Sequence, residues 1–305
     1  MADEKEIGTT GHQWDDEEGY PLKEYNNPLP KWWLYSYYAT IVYAVVYWIL
    51  YPAWPIPGGE YTKGVLGWSQ HKQLEEELAV SNAAKKPFND KLAALSTDEI
   101  AKDSQLLQYA VSAGKAIFGD NCAPCHGGSG VGAKAGGFPA LVDDDWLYGG
   151  TFEQISETIR GGRAGQMPAH LDSAEGSFTA AQVEDLTQYT LSLSGSSTDA
   201  GAAGRGDALY RGDAGCNNCH GDSGKGSLLG SANGEKLDES IGAPNLTDGI
   251  WLYGGDAKTV KHSIAYGRKG VMPAWEADSE GSNRKLSELE IKQLAIYVHT
   301  LGGGK

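Results

Sequence analysis

The sequence predicts a mainly α-helical protein in which one N-terminal transmembrane helix is followed by two tandem domains of the same kind. Three observations carry this prediction. They are a long uncharged aromatic run near the N-terminus, an internal repeat that fills the second half of the chain, and an amphipathic helical pattern that closes each copy of the repeat. The length of 305 residues accommodates two small domains and an anchor.

The transmembrane helix is predicted over residues 32–54. No charged residue occurs from Trp32 to Ala53, and a helix of that length spans about 33 Å, against a hydrocarbon core of about 30 Å. Tryptophan and tyrosine gather at both ends of the run, as they do at membrane interfaces. A buried soluble helix or a cleaved signal peptide fits less well, because the run is long and lacks a basic region before it. We expect a single span in membrane lipid, preceded by a tail over 1–31, with a tyrosine-bearing face packed on another transmembrane protein.

Residues 55–104 are expected to form a connector of polar helix and loop. Within it, Ser96 and Glu99 have the spacing of a capping box before a short helix. The two domains are then expected over 105–198 and 199–305.

The two copies of the repeat contain the same motifs in the same order. Each has a Cys-x-x-Cys-His motif, a Trp-Leu-Tyr-Gly-Gly run and a Met-Pro-Ala loop, and each closes with an amphipathic helix, over 180–193 in the first and 286–301 in the second. The tryptophan and the methionine are 21 residues apart in both copies. The histidine and the tryptophan are 20 residues apart in the first copy and 31 in the second, which places an insertion of about eleven residues within 225–240. The glycine- and serine-rich stretch 194–204 is expected to be the linker.

Both copies carry the attachment motif for haem c. Two thiols form thioethers to the vinyl groups of one haem, and the histidine that follows is held beneath the iron as a ligand. A zinc site would need closer Cys-x-x-Cys pairs, whereas these are 94 residues apart, and a redox disulfide would need a thioredoxin-like βαβ pattern. We therefore expect two covalently attached haem c groups. The expected haem-binding residues are Cys122, Cys125 and His126 in the first copy and Cys216, Cys219 and His220 in the second.

The sixth iron ligand in each copy is expected to be a methionine. Met167 lies 41 residues after His126, and Met272 lies 52 residues after His220, so the two spacings agree once the insertion is subtracted. An isolated methionine is usually a core residue, but these are the two internal methionines of the chain and they occupy equivalent positions. We expect each to ligate the iron of its own copy, which favours electron transfer over ligand activation. No catalytic residue is expected.

The other histidines, tryptophans and arginines of the two copies indicate function less specifically. Three histidines have no counterpart in the other copy and are expected to be ordinary surface or satisfied residues: His170, His262 and His299. The tryptophans Trp146 and Trp251 are expected to pack the haem pockets. Arg163 and Arg268, four residues before each methionine, are expected either to pair with haem propionates or to be solvated.

The charge of the chain limits its partners. Lys and Arg number 25 and Asp and Glu number 40, so the net charge is −15. Nucleic acid is therefore excluded as a partner, because it takes clustered cations to neutralise phosphates. The acidic surface serves solubility or attracts a basic protein by long-range steering.

The chain resembles the diheme cytochrome c subunit, subunit III, of bacterial cbb3-type cytochrome c oxidases. The resemblance covers nearly the whole length and rests on the two Cys-x-x-Cys-His repeats, on GAPNLTDGIWLYGG at 242–255, and above all on the anchor stretch at 26–55. It implies two class I cytochrome c-type domains after the anchor. It also implies that the haem domains lie in the periplasm, that the N-terminus is cytoplasmic, and that the anchor crosses the bacterial inner membrane.

The same resemblance implies a relay function rather than bond chemistry. Electrons would pass from a donor cytochrome c through these haems to a monohaem cytochrome c subunit and on to the haem–copper catalytic subunit, where oxygen is reduced to water and protons are pumped. Two alternatives remain at this point. One is a membrane-anchored carrier for another respiratory enzyme, such as a nitric oxide reductase or a dehydrogenase. The other is a diheme peroxidase, which needs one haem that can open a coordination position.

Overall fold

The computed structural model of the chain describes residues 8–13, 23–174, 176–196, 198–229, 241–276 and 285–302. The chain divides into two compact units, residues 1–85 and residues 86–305. Parts of the tail over 1–31, and the predicted insertion from residue 230 onward, lie outside the described residues.

The first unit contains the anchor helix, α1, between two short antiparallel strand pairs. Among the described residues, α1 is the one helix that is long and apolar enough to cross a membrane, and none of its side chains is buried. It ends at Leu50, earlier than the predicted limit of 54, because Pro52 disfavours the helical conformation of Tyr51, which is extended. The elements are β1 (Thr9–Gln13), β2 (Lys23–Tyr25), α1 (Lys31–Leu50), β3 (Pro55–Ile56) and β4 (Glu60–Tyr61).

The connector is more ordered than the sequence indicates. It forms α2 (Gln70–Ala94) and α3 (Thr97–Lys102), and the capping box at the start of α3 is confirmed. The hydroxyl of Ser96 accepts a hydrogen bond from the backbone N–H of Glu99 at 3.3 Å, and the Glu99 carboxylate accepts one from the Ser96 N–H at 2.9 Å. Both helices meet the part of the chain that carries the repeat in a small apolar core of Leu92, Ile100, Leu106, Ala110 and Ile296.

The two Cys-x-x-Cys-His copies are mainly helical. The amphipathic helices predicted at the end of each copy are confirmed as α7 and α12. The elements are α4 (Ser104–Asn121), α5 (Ala123–His126), α6 (Phe152–Gly161), β5 (Arg163–Met167), α7 (Ala180–Leu193), α8 (Ala200–Arg211), α9 (Asn217–His220), α10 (Gly226–Leu229), α11 (Ala257–Tyr266), β6 (Arg268–Met272) and α12 (Glu288–Thr300).

The linker between the copies is shorter than the predicted stretch 194–204. The helix α8 begins at Ala200, because alanines follow and the side chain of Asp199 accepts a hydrogen bond from the Ala202 N–H at 2.9 Å. Between α7 and α8 the described linker is therefore confined to residues 194–196 and 198–199.

The closing helices of the two copies are exchanged. The last helix of the chain, α12, packs against α4 and α6 of the first copy, whereas α7, which closes the first copy in sequence, packs against α8 and α11 of the second. Each helical group therefore contains residues from both copies. We call α4, α5, α6 and α12 the first helical group, and α7, α8, α9 and α11 the second. The packing of these groups does not follow the sequence boundaries 105–198 and 199–305.

Each exchanged helix crosses its partner at a glycine. A Cβ atom on Gly114 of α4 would collide with the Gln293 carbonyl oxygen and would lie 2.7 Å from the Tyr297 Cβ of α12. A Cβ atom on Gly206 of α8 would collide with the Asp185 carbonyl oxygen of α7. The absence of a side chain at these two positions lets the helix backbones approach closely.

Strands β5 and β6 form the crossing point between the two groups. They pair antiparallel, with Gly165 opposite Gly270, Arg163 opposite Met272 and Met167 opposite Arg268. The chain leaves the first group along β5 and enters the second, and it returns along β6. The pairing is therefore symmetric about the two glycines, and each methionine is carried out of the copy to which it belongs in sequence.

Candidate haem sites

Each Cys-x-x-Cys-His motif forms one tight helical turn after a long helix. In the first, α4 ends at Asn121 and the N–H of His126 donates to the Cys122 carbonyl at 2.9 Å. The second turn is the same, with the N–H of His220 donating to the Cys216 carbonyl at 2.9 Å. In both turns the first thiol is half-buried and the second is exposed. The first thiol of each motif thus packs on a core, and the second stays accessible.

The four cysteines are not linked by disulfides, and the thiolate form of the two half-buried ones is disfavoured. Burial, and secondarily the neighbouring Cys125, raises the pKa of Cys122 to about 11. Burial likewise raises the pKa of Cys216 to about 11. A redox or nucleophilic cysteine would need a lowered pKa, so the environment does not favour that chemistry.

The two histidines are oriented by the same contact. The Nδ1 atom of His126 donates to the carbonyl oxygen of Pro139 at 3.0 Å, and the Nδ1 atom of His220 donates to that of Pro244 at 3.0 Å. A carbonyl is an acceptor, so the proton resides on Nδ1 and the lone pair on Nε2 is left for a metal. Burial lowers the pKa of His220, which keeps its imidazole neutral. Both histidines therefore have the tautomer of an iron ligand.

The methionines occupy the opposite sites from those expected. Met272 packs on the core of the first helical group, together with Cys122 and Trp146. Met167 packs on the core of the second group, together with Cys216 and Trp251. Each methionine therefore packs on the core of the opposite copy rather than on its own, and its ligation to iron stays a prediction. The physical reason is the β5–β6 pairing, which carries each Met-Pro-Ala loop across to the other group.

The loops after the methionines are fixed to their new neighbours by backbone hydrogen bonds. The N–H of His170 donates to the Ile264 carbonyl of α11 at 3.1 Å, and the N–H of Trp275 donates to the Ile159 carbonyl of α6 at 3.1 Å. These bonds are equivalent in the two groups. The exchange therefore includes the loop as well as the helix that follows it.

A buried indole N–H supports the assignment of a cofactor to the first site. The Nε1 atom of Trp146 is buried without a hydrogen-bond partner in the described part of the chain. A buried donor of this kind costs free energy unless something accepts its proton. Since Trp146 shares a core with Cys122 and Met272, an acceptor-bearing cofactor bonded at the cysteines would satisfy it. The residues present thus fit a haem.

Sequence reasoning misplaced one histidine. His262 is exposed and His299 stacks on Phe152, with ring centroids 4.1 Å apart, so both are ordinary residues. His170, in contrast, is 8% exposed, stacks beside Phe178, and its Nδ1 has no partner among the described residues. The expectation of a surface or satisfied histidine was wrong there. The only sequence signal was its position three residues after Met167, where the other copy has Trp275.

The two sites adjoin through a pair of tyrosines. Tyr148 of the first copy lies against Gly242, two residues before the proline that orients His220. Tyr253 of the second copy lies against Gly137, two residues before the proline that orients His126. Both glycines have positive φ, 62° and 68°, so a side chain there would be strained as well as obstructed.

An acidic loop lies beside the first site. Burial, then the nearby Asp248 and Asp143, raises the pKa of Asp145 to about 6. Burial also raises the pKa of Asp143. Carboxylates from both copies therefore meet at this loop, where burial and the neighbouring charges disfavour the charged form of Asp145.

Two family models match the chain. The model described as cytochrome c oxidase, cbb3-type, subunit III matches residues 110–189 and again residues 201–298. The model described as the N-terminal domain of cytochrome oxidase-cbb3, FixP, matches residues 6–57. The repeat and the anchor are thus recognised separately.

Curated proteins similar over the full length agree with these models. A cbb3-type cytochrome c oxidase subunit FixP of Azorhizobium caulinodans is 45% identical, over 97% of this chain and 94% of its own. The subunit CcoP of Azospirillum brasilense is 43% identical, over 98% of this chain and 96% of its own. The subunit CcoP of Rhodobacter capsulatus is 41% identical, over 99% of this chain and 97% of its own.

Proposed function

This chain belongs to the family of subunit III of cbb3-type cytochrome c oxidases, and on that premise we propose that it carries two haem c groups in series. It is an electron-transfer subunit of the oxidase complex rather than its catalytic subunit. Its cytochrome domains bind haem c. Haem c supplies a one-electron ferric–ferrous couple, so the task of the protein is to hold, orient and enclose it.

The observation that carries the proposal is the duplicated arrangement of one histidine, one methionine and two thiols around each core. In the first site, Cys122 and Cys125 bind the haem covalently, and His126 and Met272 ligate its iron. In the second site, Cys216 and Cys219 bind the haem, and His220 and Met167 ligate the iron. The packing of each methionine with the cysteine of the opposite copy supports this assignment.

The proposed organisation follows the anchor. The protein is attached to the membrane by α1. We place the tail over 1–31 in the cytoplasm, the span within 32–54, the connector over 55–104 and the haem-binding residues 105–305 in the periplasm, since haem c is attached outside the bacterial cytoplasm. The protein has two haem domains in this proposal, and they exchange their closing helices.

The proposed partners lie at both ends of the relay. A donor cytochrome c delivers electrons, and the monohaem cytochrome c subunit and the haem–copper catalytic subunit receive them. The net charge of −15 supports a basic donor, since opposite charges raise the rate of encounter. The match of the anchor region to its own family model favours the oxidase over a nitric oxide reductase, a dehydrogenase or a peroxidase.

The experiment that tests the function is purification of the native complex from membranes through a tag on this chain. Two haem c groups per chain in the pyridine haemochrome spectrum, with haem b, copper and oxygen-reducing activity in the same preparation, are the expected result. One haem per chain, or copurification with a different respiratory enzyme that lacks copper, would contradict the proposal.

A further inference from the structure

Two arginines are held in the same unusual way in the two copies. The Nε atom of Arg163 donates to the Thr158 hydroxyl at 3.0 Å, and its guanidinium carbon lies 4.6 Å from the centre of the Tyr148 ring. In the second copy, the Nε atom of Arg268 donates to the Ser263 hydroxyl at 2.9 Å, and its guanidinium carbon lies 4.1 Å from the centre of a tyrosine ring, that of Tyr253. A hydroxyl of the preceding helix and an aromatic face therefore fix each guanidinium twice over.

Neither of these arginines has a carboxylate partner within the described ranges, whereas the three other arginines described there do. Arg160 pairs with Glu288 at 2.7 Å, Arg205 with Asp185 at 2.7 Å, and Arg211 with Asp207 at 2.8 Å. Arg163 and Arg268 are half-buried, and within the described part of the chain their side-chain hydrogen bonds use Nε, which leaves the terminal nitrogens without an acceptor there. A partly desolvated guanidinium is stabilised by an anion, and its planar fork of donors matches the two oxygens of a carboxylate.

The strand register places each arginine at one haem site. Arg163 stands opposite Met272, which packs beside the unpartnered indole N–H of Trp146 in the first site. Arg268 stands opposite Met167, which packs beside Trp251 in the second site. Each arginine thus belongs to the site whose methionine it faces.

We infer that Arg163 binds a propionate of the first haem and that Arg268 binds a propionate of the second. The inference rests on the proposed function, because the propionates are the carboxylates that a haem would bring to these sites. Each arginine neutralises a negative charge near the iron, which favours the ferrous state and raises the reduction potential. The arginines are positioning residues that set the potentials of the two steps of the relay.

The test is a redox titration of the haem-loaded full chain carrying Arg163→Gln or Arg268→Gln. Each variant is expected to lower one of the two midpoint potentials, with a change in the ferric-to-ferrous ratio of about threefold to tenfold at fixed ambient potential. A tenfold change corresponds to about 59 mV for a one-electron couple. The propionate bending mode in the resonance Raman spectrum is expected to shift in the same variant.

Matched controls separate this effect from loss of any positive charge. Arg160→Gln and Arg205→Gln remove arginines that are already paired with carboxylates, and are expected to leave both midpoints and the Raman mode nearly unchanged. Arg163→Lys keeps the charge but loses the fork, so it is expected to retain most of the potential while the Raman mode shifts.

Three results would count against the inference. Unchanged midpoints in haem-loaded Arg163→Gln and Arg268→Gln overturn it, and so do shifts no larger than those of the controls. If the glutamine variants lose haem, an unchanged Raman mode in Arg163→Lys and Arg268→Lys overturns it instead. Absence of haem from the unmodified chain would be a failure of the proposed function, which the haemochrome spectrum detects before any titration.

Discussion

Gly165 of β5 lies directly opposite Gly270 of β6, and this pair is the centre about which the two halves of the haem-binding region exchange their methionine loops and closing helices. Three residues after each strand ends, at His170 and at Trp275, the backbone is already hydrogen-bonded to the opposite helical group. In the proposed arrangement each site takes two thiols and a histidine from one copy and a methionine from the other, so neither copy would complete a site alone.

The exchange predicts which haem each methionine controls. In a full chain whose second haem is removed by Cys216→Ala and Cys219→Ala, Met272→Ala should abolish the near-infrared sulfur-to-iron charge-transfer band of the remaining haem, because Met272 packs in the first site. Met167→Ala in the same background should leave that band in place. The reverse pattern would mean that each methionine ligates the iron of its own copy.

The helix crossings predict a sharp dependence on two glycines. Gly114→Ala and Gly206→Ala should each lower the free energy of unfolding by about 1–3 kcal/mol, because the new methyl group collides with backbone of the crossing helix. Gly119→Ala on α4 and Gly204→Ala on α8 are matched controls, since nothing lies within 4 Å of a Cβ there. Denaturant unfolding of the haem-loaded chain measures all four. Equal effects at the crossings and at the controls would argue against the packing described.

The hydrogen bonds of Lys292 attach the connector to α12, and their removal should loosen it. Its Nζ atom donates to the carbonyl oxygens of Leu92 at 3.0 Å and Leu95 at 2.9 Å, at the end of α2. Lys292→Met removes these charge-assisted bonds and should cost about 1–2 kcal/mol. Limited proteolysis should then cut faster between residues 86 and 103. Lys115→Met, an exposed lysine on α4, is the control, and an equal rate of cleavage in both variants would contradict the role of Lys292.

Asp145 predicts a pH dependence of stability. Its pKa is raised in the folded chain from 3.8 to about 6, so the folded state binds a proton more tightly than the unfolded state does. The resulting stability is present below about pH 4 and is lost as the pH rises through about 6. Asp145→Asn should therefore increase the free energy of unfolding at pH 7.5 by about 1–2 kcal/mol after allowance for solvent screening. A higher melting temperature at that pH measures this effect.

The same substitution should have little effect at pH 4, where the carboxyl group is protonated in both states. Asp144→Asn, at the exposed neighbouring position, is the control for net charge. A stabilisation by Asp145→Asn that is the same at both pH values would show that burial and the carboxylates Asp143 and Asp248 do not perturb this group.

The local elements could be predicted from the sequence because their signals are local. The anchor run, the capping box at Ser96 and Glu99, and the amphipathic pattern of α7 and α12 each lie within a few turns of chain. The exchange could not be predicted in this way. Both opening helices offer the same crossing glycine, Gly114 or Gly206, and both closing helices offer the same apolar face, so either helix fits either partner. Only the β5–β6 pairing, a contact between distant segments, decides between them.

The unpartnered side chains were hidden from sequence reasoning for a related reason. The burial of His170 depends in part on α11, which the exchange brings to it, so the sequence gives no sign of that burial. Arg163 and Arg268 read equally well as solvated or as bound residues, because the absence of a carboxylate partner is a property of the folded chain.

The exchange of α12 also sets an order of events in biosynthesis. The helix α4 is made early, but its partner α12 begins only at Glu288, so the first core stays open until that helix has been synthesised. Contacts between segments this distant in sequence form slowly, because the entropy cost of closing a long loop precedes the stabilisation that the contacts provide. The packing of α12 then closes the first core, against which Cys122 lies.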